Sequence, residues 1–208
     1  MRSLADLAAA AGITDTRVLD AMRAVPRARF VPAEHVRDAD RDVPIPIGHD
    51  QVTTQPSLVA AMVQALDLSG DGAVLEIGSG YGYQTALLAR LAAVVWSVEW
   101  WDDLAAVARD NLASAGIRNA HVITGDGTLG LPEQAPFDAI VIAAAFPDVP
   151  PPLVEQLAPG GRLVQPLGHG GDEDVVVFAR HGDGLRRIGH VTYARFVRLV
   201  GTHGFGST

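Results

Sequence analysis

The chain contains no cysteine, which excludes disulfides, thiolate nucleophiles and thiolate metal sites and leaves the redox state of its compartment open. Lysine is missing as well, since all 16 basic residues are arginine. That rules out Schiff-base chemistry and the lysine of a phosphate-binding loop. Codon bias in a GC-rich genome accounts for the absence without a functional cause. Positive charge is also outnumbered, giving a formal net charge of −8. Such a chain repels a polyanionic backbone, and no arginine stripe interleaved with aromatics offsets the repulsion, so nucleic acid is not an expected partner. No apolar run approaches the roughly 18 residues that span a bilayer. The N-terminus, Met1-Arg2-Ser3-Leu4-Ala5-Asp6, has an early acid and no cleavable apolar core. The expectation is a cytoplasmic, monomeric chain with no membrane association. The seven histidines are scattered, and no cluster of them with carboxylates supports a metal site.

What is present is 208 residues with 48% hydrophobic content, enough for one well-buried domain. Val18, Leu19, Met22 and Val25 follow Asp15-Thr16 at helical spacing until Pro26 stops the pattern. Residues 26–56 are punctuated by Pro26, Pro32, Pro44, Pro46, Gly48 and Pro56, the composition of an ordered but irregular arm. From residue 58 helical and strand patterns alternate. The spacing predicts a helix over 58–66, a strand over 73–77, a helix over 84–91, a strand over 94–98, a helix over 102–115, and strands over 121–124 and 139–142. A helix beyond Pro152, a turn at Pro159-Gly160-Gly161 and strands over 162–166, 175–179 and 187–197 complete the chain. The fold class is α/β, a mostly parallel twisted sheet with helices on both faces, closing in an antiparallel hairpin because the last strands lack intervening helices. The whole chain, 1–208, reads as one domain, with a helix and covering arm over 1–57 and the α/β core over 58–208.

The strongest chemical signal is Glu76-Ile77-Gly78-Ser79-Gly80-Tyr81-Gly82, at the end of a strand and the start of a helix. Glycines there let the backbone approach a ligand, and the N–H groups of the helix start favour anions. A dinucleotide fingerprint needs its third glycine one place later, where Tyr83 stands. The G-x-G-x-G spacing instead suits a methyltransferase turn packed against an adenosylmethionine, with Glu76 bordering the site. Glu99 ends the next strand, followed by Trp100, where a carboxylate can accept both hydroxyls of a ribose. Gly125-Asp126-Gly127 ends the third strand on the same rim, and Asp126 can accept from an adenine amine; the alternative for Asp126 is an Asx turn. The fourth strand ends in Ala143-Ala144-Ala145-Phe146, without the Asn or Asp that base-amine methylation requires.

Pro44-Ile45-Pro46-Ile47-Gly48-His49-Asp50-Gln51-Val52-Thr53-Thr54-Gln55-Pro56 resembles a segment of the protein-L-isoaspartate O-methyltransferase family. The likeness extends in order through residues 21–26 with 30–32, then 74–86, 125–127, 135–140 and 156–163. It implies a Rossmann-like fold that uses S-adenosyl-L-methionine (AdoMet), releases S-adenosyl-L-homocysteine (AdoHcy), and methylates isoaspartyl proteins or peptides. The implied cofactor residues are Glu76, Gly78, Ser79, Gly80, Tyr81, Gly82, Glu99, Trp100, Asp126 and Gly127. The family's catalytic serine falls on Thr54, its threonine two places earlier on Val52, and Thr53 stands where an apolar residue is common. With Gln55, these form the expected substrate side. Arg195-Phe196-Val197-Arg198-Leu199 is similar to the family's R-F-V-P-L segment, with Arg198 replacing proline on that same side. These departures keep three alternatives open: a methyltransferase for a normal aspartate in a peptide precursor, a non-catalytic AdoMet binder and, disfavoured by glycine spacing, a nicotinamide reductase.

Overall fold

The computed structural model describes residues 2–206. Helix α1 (Leu4–Ala10) starts at a capping box, in which the Ser3 hydroxyl accepts from the Asp6 N–H and the Asp6 carboxylate accepts from the Ser3 N–H. The sequence reading did not include it, because its buried face is only Ala5 and Ala8 and offers little periodic contrast. Helix α2 (Thr16–Ala24) starts where Asp15 caps the Arg17 N–H, and Pro26 follows its end. Two short 3-10 turns, Arg27–Phe30 and Ala33–Asp38, carry the chain into the arm. There β1 (Ile45–Gly48) and β2 (Gln51–Thr53) pair as an antiparallel hairpin. Gly48, His49 and Asp50 make its tip, all at positive φ, a conformation that favours glycine and is strained for the other two.

The core follows as α3 (Pro56–Leu66), β3 (Ala73–Ile77), α4 (Tyr83–Leu88), β4 (Val94–Glu99), α5 (Asp102–Ser114), β5 (Ala120–Thr124), β6 (Phe137–Ile142), α6 (Pro151–Gln156), β7 (Leu157–Leu167), β8 (Glu173–His181) and β9 (Gly184–Ala194). The seven strands lie in the order β5-β4-β3-β6-β7-β8-β9. Strands β3 to β7 pair in parallel, while β8 and β9 join antiparallel as the closing hairpin. Alternation along the strands sorts the core into two faces. Val74, Val95, Val141 and Val164 pack beneath α1 to α5, whereas Leu75, Ile77, Ile140 and Leu163 pack on the face that holds Leu153 of α6 and Leu199. Helices therefore cover both faces, with five on one side and α6 on the other.

Several elements differ at their ends from expectation, the helix expected over 84–91 running Tyr83–Leu88 for instance, and two differences change the topology around the site. Pro159-Gly160-Gly161 does not turn the chain between elements: it lies inside β7, where two steps of β6 (137 to 139) face five of β7 (157 to 162). The last strand ends at Ala194, so residues 195–197 leave the sheet and Arg198 forms an isolated bridge with Ala145. Strand β3 is paired with β4 on one side and β6 on the other. Connections diverge there, which opens a crevice at the carboxyl ends of the strands. No helix among the described residues is long and apolar enough to cross a membrane.

Candidate active site

The crevice is floored by the turn that joins β3 to α4. Gly78, Gly80 and Gly82 take φ values of 92°, 51° and 91°, which is why glycine is needed at each. A Cβ on Gly80 would stand 3.0 Å from Ile47 Cδ1 of the arm, so the hairpin rests directly on the turn. Glu99 Oε2 accepts from the Gly80 N–H at 2.9 Å, and its Oε1 accepts from the Trp101 N–H at 3.1 Å. Burial raises the pKa of Glu99, opposed by these backbone donors. Glu99, Trp100, Ser79, Tyr81, Gly78 and Gly80 all line one cavity, as does Gly127.

Four residues expected at the site lie away from the cavity wall. The Glu76 side chain points into the helical layer, where it accepts from Thr85 Oγ1 at 2.5 Å, Ser97 Oγ at 2.6 Å and Gln84 Nε2 at 3.0 Å. It supports the turn from behind, because strand alternation turns it opposite to Ile77. Gly82 faces Ala108 and Leu112 of α5 and serves helix packing. Asp126 makes the Asx turn: one oxygen accepts from the Thr128 N–H and hydroxyl at 2.9 and 2.6 Å, and the other from the Thr202 N–H at 2.7 Å. Its carboxylate therefore ties down the C-terminal tail. Gln55 donates to Asp42 and Ser57 within the arm.

The opposite end of the cavity is built by the arm and by the chain after β6 and β9. Val52, Thr53, Thr54, Ala143, Ala144 and Arg198 line it. The Thr53 hydroxyl is turned away to Arg27 Nη2, 2.7 Å distant. Thr54 differs, since its hydroxyl has no protein hydrogen-bond partner among the described residues, and the cap position of α3 belongs to Gln55. No carboxylate or imidazole lines this end.

Two sets of contacts missed by sequence reasoning hold the arm down, one through Arg27 and one through His49. Arg27 is 2% exposed and donates to the carbonyls of Arg41 and Val43 at 3.0 and 2.9 Å besides the Thr53 hydroxyl. Burial lowers the pKa of its guanidinium, opposed through space by Tyr83 and Asp42. His49 stacks on Trp101 with ring centroids 3.9 Å apart, and its Nε2 lies 2.9 Å from Asp103. The arginine directly after Pro26 was a visible signal; the His49–Trp101 stack joins residues too distant in sequence to be one.

A parallel sheet with a glycine turn after its central strand, a buried acid at the tip of the next, and a cavity across the switch point defines the class of Rossmann-like AdoMet-dependent methyltransferases. The family model of protein-L-isoaspartate(D-aspartate) O-methyltransferase matches residues 2–204, and the chain belongs to that family. It is 52% identical over 201 residues to a protein-L-isoaspartate O-methyltransferase of Anaeromyxobacter dehalogenans, covering 96% of both chains. To the protein of the same description in Methanoregula boonei it is 49% identical, covering 98% of this chain and 94% of the relative. Among solved structures it superposes with a TM-score of 0.85 on a protein-L-isoaspartate O-methyltransferase at 27% identity, covering 97% of this chain and 66% of that longer one. A Plasmodium falciparum structure described as a putative protein-L-isoaspartate O-methyltransferase in complex with AdoHcy matches its fold with a TM-score of 0.80 at 22% identity.

Proposed function

We propose that the chain transfers the methyl group of AdoMet to the free carboxylate of L-isoaspartyl residues in proteins or peptides, and so begins a repair that proceeds through a succinimide. The observation that carries this reading is the contrast between the two ends of the cavity. One end offers a buried acid and a glycine turn shaped for a nucleoside and amino-acid moiety; the other offers a free hydroxyl and no general base. An amine or alcohol acceptor would need a base there, whereas a carboxylate is already ionised near neutral pH.

The residues fit AdoMet. Glu99 has two carboxylate oxygens at the tip of β4 for a ribose diol, Trp100 supplies an aromatic wall, and Gly78, Ser79, Gly80, Tyr81 and Gly127 supply close backbone. When bound, AdoMet supplies a methyl group on a cationic sulfur, which a carboxylate oxygen takes in line as the S–C bond breaks and the O–C bond forms, with no proton moved. Thr54 donates to that carboxylate and orients it. Val52, Thr53 and Arg198 complete the acceptor wall. The arm, pinned through Arg27 and His49, excludes water from the reacting atoms, and positioning with desolvation supplies the acceleration.

The test is tritiated AdoMet with an isoaspartyl peptide beside its aspartyl twin, scored for base-labile methyl incorporation. Labelling confined to the isoaspartyl peptide is expected. Equal labelling would move the chain to general or precursor-specific carboxyl methylation, and no labelling of either would sink the reading.

A further inference from the structure

Glu99 and Arg198 are the two charged side chains among the described residues that line the cavity. Glu99 sits against the glycine turn. Arg198 sits at the acceptor end, its backbone pinned to the end of β6: the Ala145 N–H donates to Val197 O at 2.7 Å, and the Leu199 N–H donates to Ala145 O at 2.8 Å. Its side chain is exposed and makes no ion pair among the described residues, unlike Arg162, Arg187 and Arg195, which all pair with aspartates. What holds it is aromatic. The guanidinium carbon lies 5.1 Å from the centroid of the Phe205 ring, which is itself set edge-on to Phe146 at 5.1 Å. A guanidinium stacked in this way has one face covered and its in-plane N–H donors free, the arrangement that receives a carboxylate. Gly170, at φ 102°, brings its loop beside Nε without a side chain to cover it.

Resting on the reading above, we propose that Arg198 is a specificity-determining residue that pairs with an acidic side chain flanking the isoaspartyl residue of the substrate. The acceptor carboxylate itself is the poorer partner, because a close cation stabilises its charge and lowers its nucleophilicity. The exposed guanidinium stands at the rim, where neighbouring residues of a bound peptide pass. On a protein of net charge −8 the general field repels an acidic peptide, so a preference for one has to come from a local cation, and this is the cation the cavity presents.

The experiment compares isoaspartyl peptides that differ only in a flanking Glu, Gln or Lys, with wild type, Arg198→Met and Arg198→Glu, together with AdoHcy affinity and melting temperature. In the wild type kcat/KM is expected to favour the Glu peptide over the Lys peptide by about three- to tenfold, as suits a partly exposed charge pair. The difference should lie in KM and shrink at high salt, as a contact equal in ground and transition states behaves. Arg198→Met should level the series and Arg198→Glu should invert it. A wild type indifferent to the flank, or a preference that survives in Arg198→Met, overturns the proposal. Weakened AdoHcy binding in Arg198→Met that matches its loss of kcat/KM would assign the residue to the cofactor and overturn it too. The Gln peptide keeps the two readings apart: its failure to be methylated sinks the proposed function, while its methylation alongside equal Glu and Lys rates sinks the role of Arg198 alone.

Discussion

Thr54→Val gives the sharpest test of the acceptor end, because it removes one hydroxyl and keeps the branched shape. In the folded protein that hydroxyl has no protein partner among the described residues, and it does not cap α3. Its removal leaves no buried group unpaired, so stability should move by no more than about 0.5 kcal/mol. A hydroxyl that donates to the acceptor carboxylate in the transition state contributes about 1.5–3 kcal/mol, since the acceptor is charged. The expected loss in kcat is therefore about ten- to a hundredfold. Thr54→Ser keeps the donor, gives up one methyl contact and should retain most activity. The assay is initial-rate methylation of an isoaspartyl peptide by both variants, with AdoHcy affinity by calorimetry and a melting temperature for each. Unchanged kcat in Thr54→Val would refute the argument and leave the arm as a cover with no chemical group. A loss that follows the melting temperature instead would give Thr54 a structural role.

Arg27→Met should destabilise the protein by about 3 kcal/mol or more, because it leaves the Arg41 and Val43 carbonyls and the Thr53 hydroxyl without their donor; urea denaturation reads this, and a cost below about 1 kcal/mol would show that the arm is held elsewhere. Glu99→Ala should weaken AdoHcy binding by about tenfold or more, from the loss of charge-assisted hydrogen bonds, and unchanged calorimetric affinity would remove Glu99 from the cofactor site. Burial pushes the Glu76 carboxyl up to about 7 from 4.5, against donors from Ser97, Thr85 and Gln84. The folded state thus favours the protonated acid, and this stabilisation is complete below pH 4.5 and lost as pH rises through about 7, a change on the order of 3 kcal/mol. Urea midpoints of wild type and Glu76→Gln across that window should lie close at low pH and diverge as pH rises, the wild type falling below the variant; parallel profiles would show that Glu76 stays ionised among its three donors.

The parallel core was legible in the sequence because its strands are buried on both faces and read as apolar runs closed by glycine or acid. Residues 73–77 were placed without error, and β4 differs from the expected 94–98 only by including Glu99. The arm was legible as a feature but not in its form. Pro44, Pro46 and Gly48 look like breakers, and the hairpin they belong to is held by contacts with α5 and the glycine turn. Gly78, Gly80 and Glu99 could be placed on the cavity wall from sequence because their geometry is set by the local strand-turn-helix. For Glu76 and Asp126 the sequence does not show which way the carboxylate points, because partners such as Ser97 and Thr202 lie 21 and 76 residues away. An acid at a strand end has the same local signature whether it faces a ligand or a tail.

The same distant contacts make the two halves of the site depend on one another. The arm reaches the cofactor side at two points: Ile47 lies over Gly80, and His49 stacks on Trp101 and meets Asp103, whose carboxyl it holds below its ordinary range. Both contacts fall on residues next to Glu99 in space, since Glu99 accepts from the backbones of Gly80 and Trp101. Thr54 follows β2 directly, so its position is fixed by the same hairpin that presses on the glycine turn. A shift of the hairpin would move the acceptor group and loosen the nucleoside cradle together. Under the proposed function one hairpin thus sets the position of both the acceptor group and the cofactor cradle, which is what an in-line transfer between two bound molecules requires of a scaffold that supplies no base.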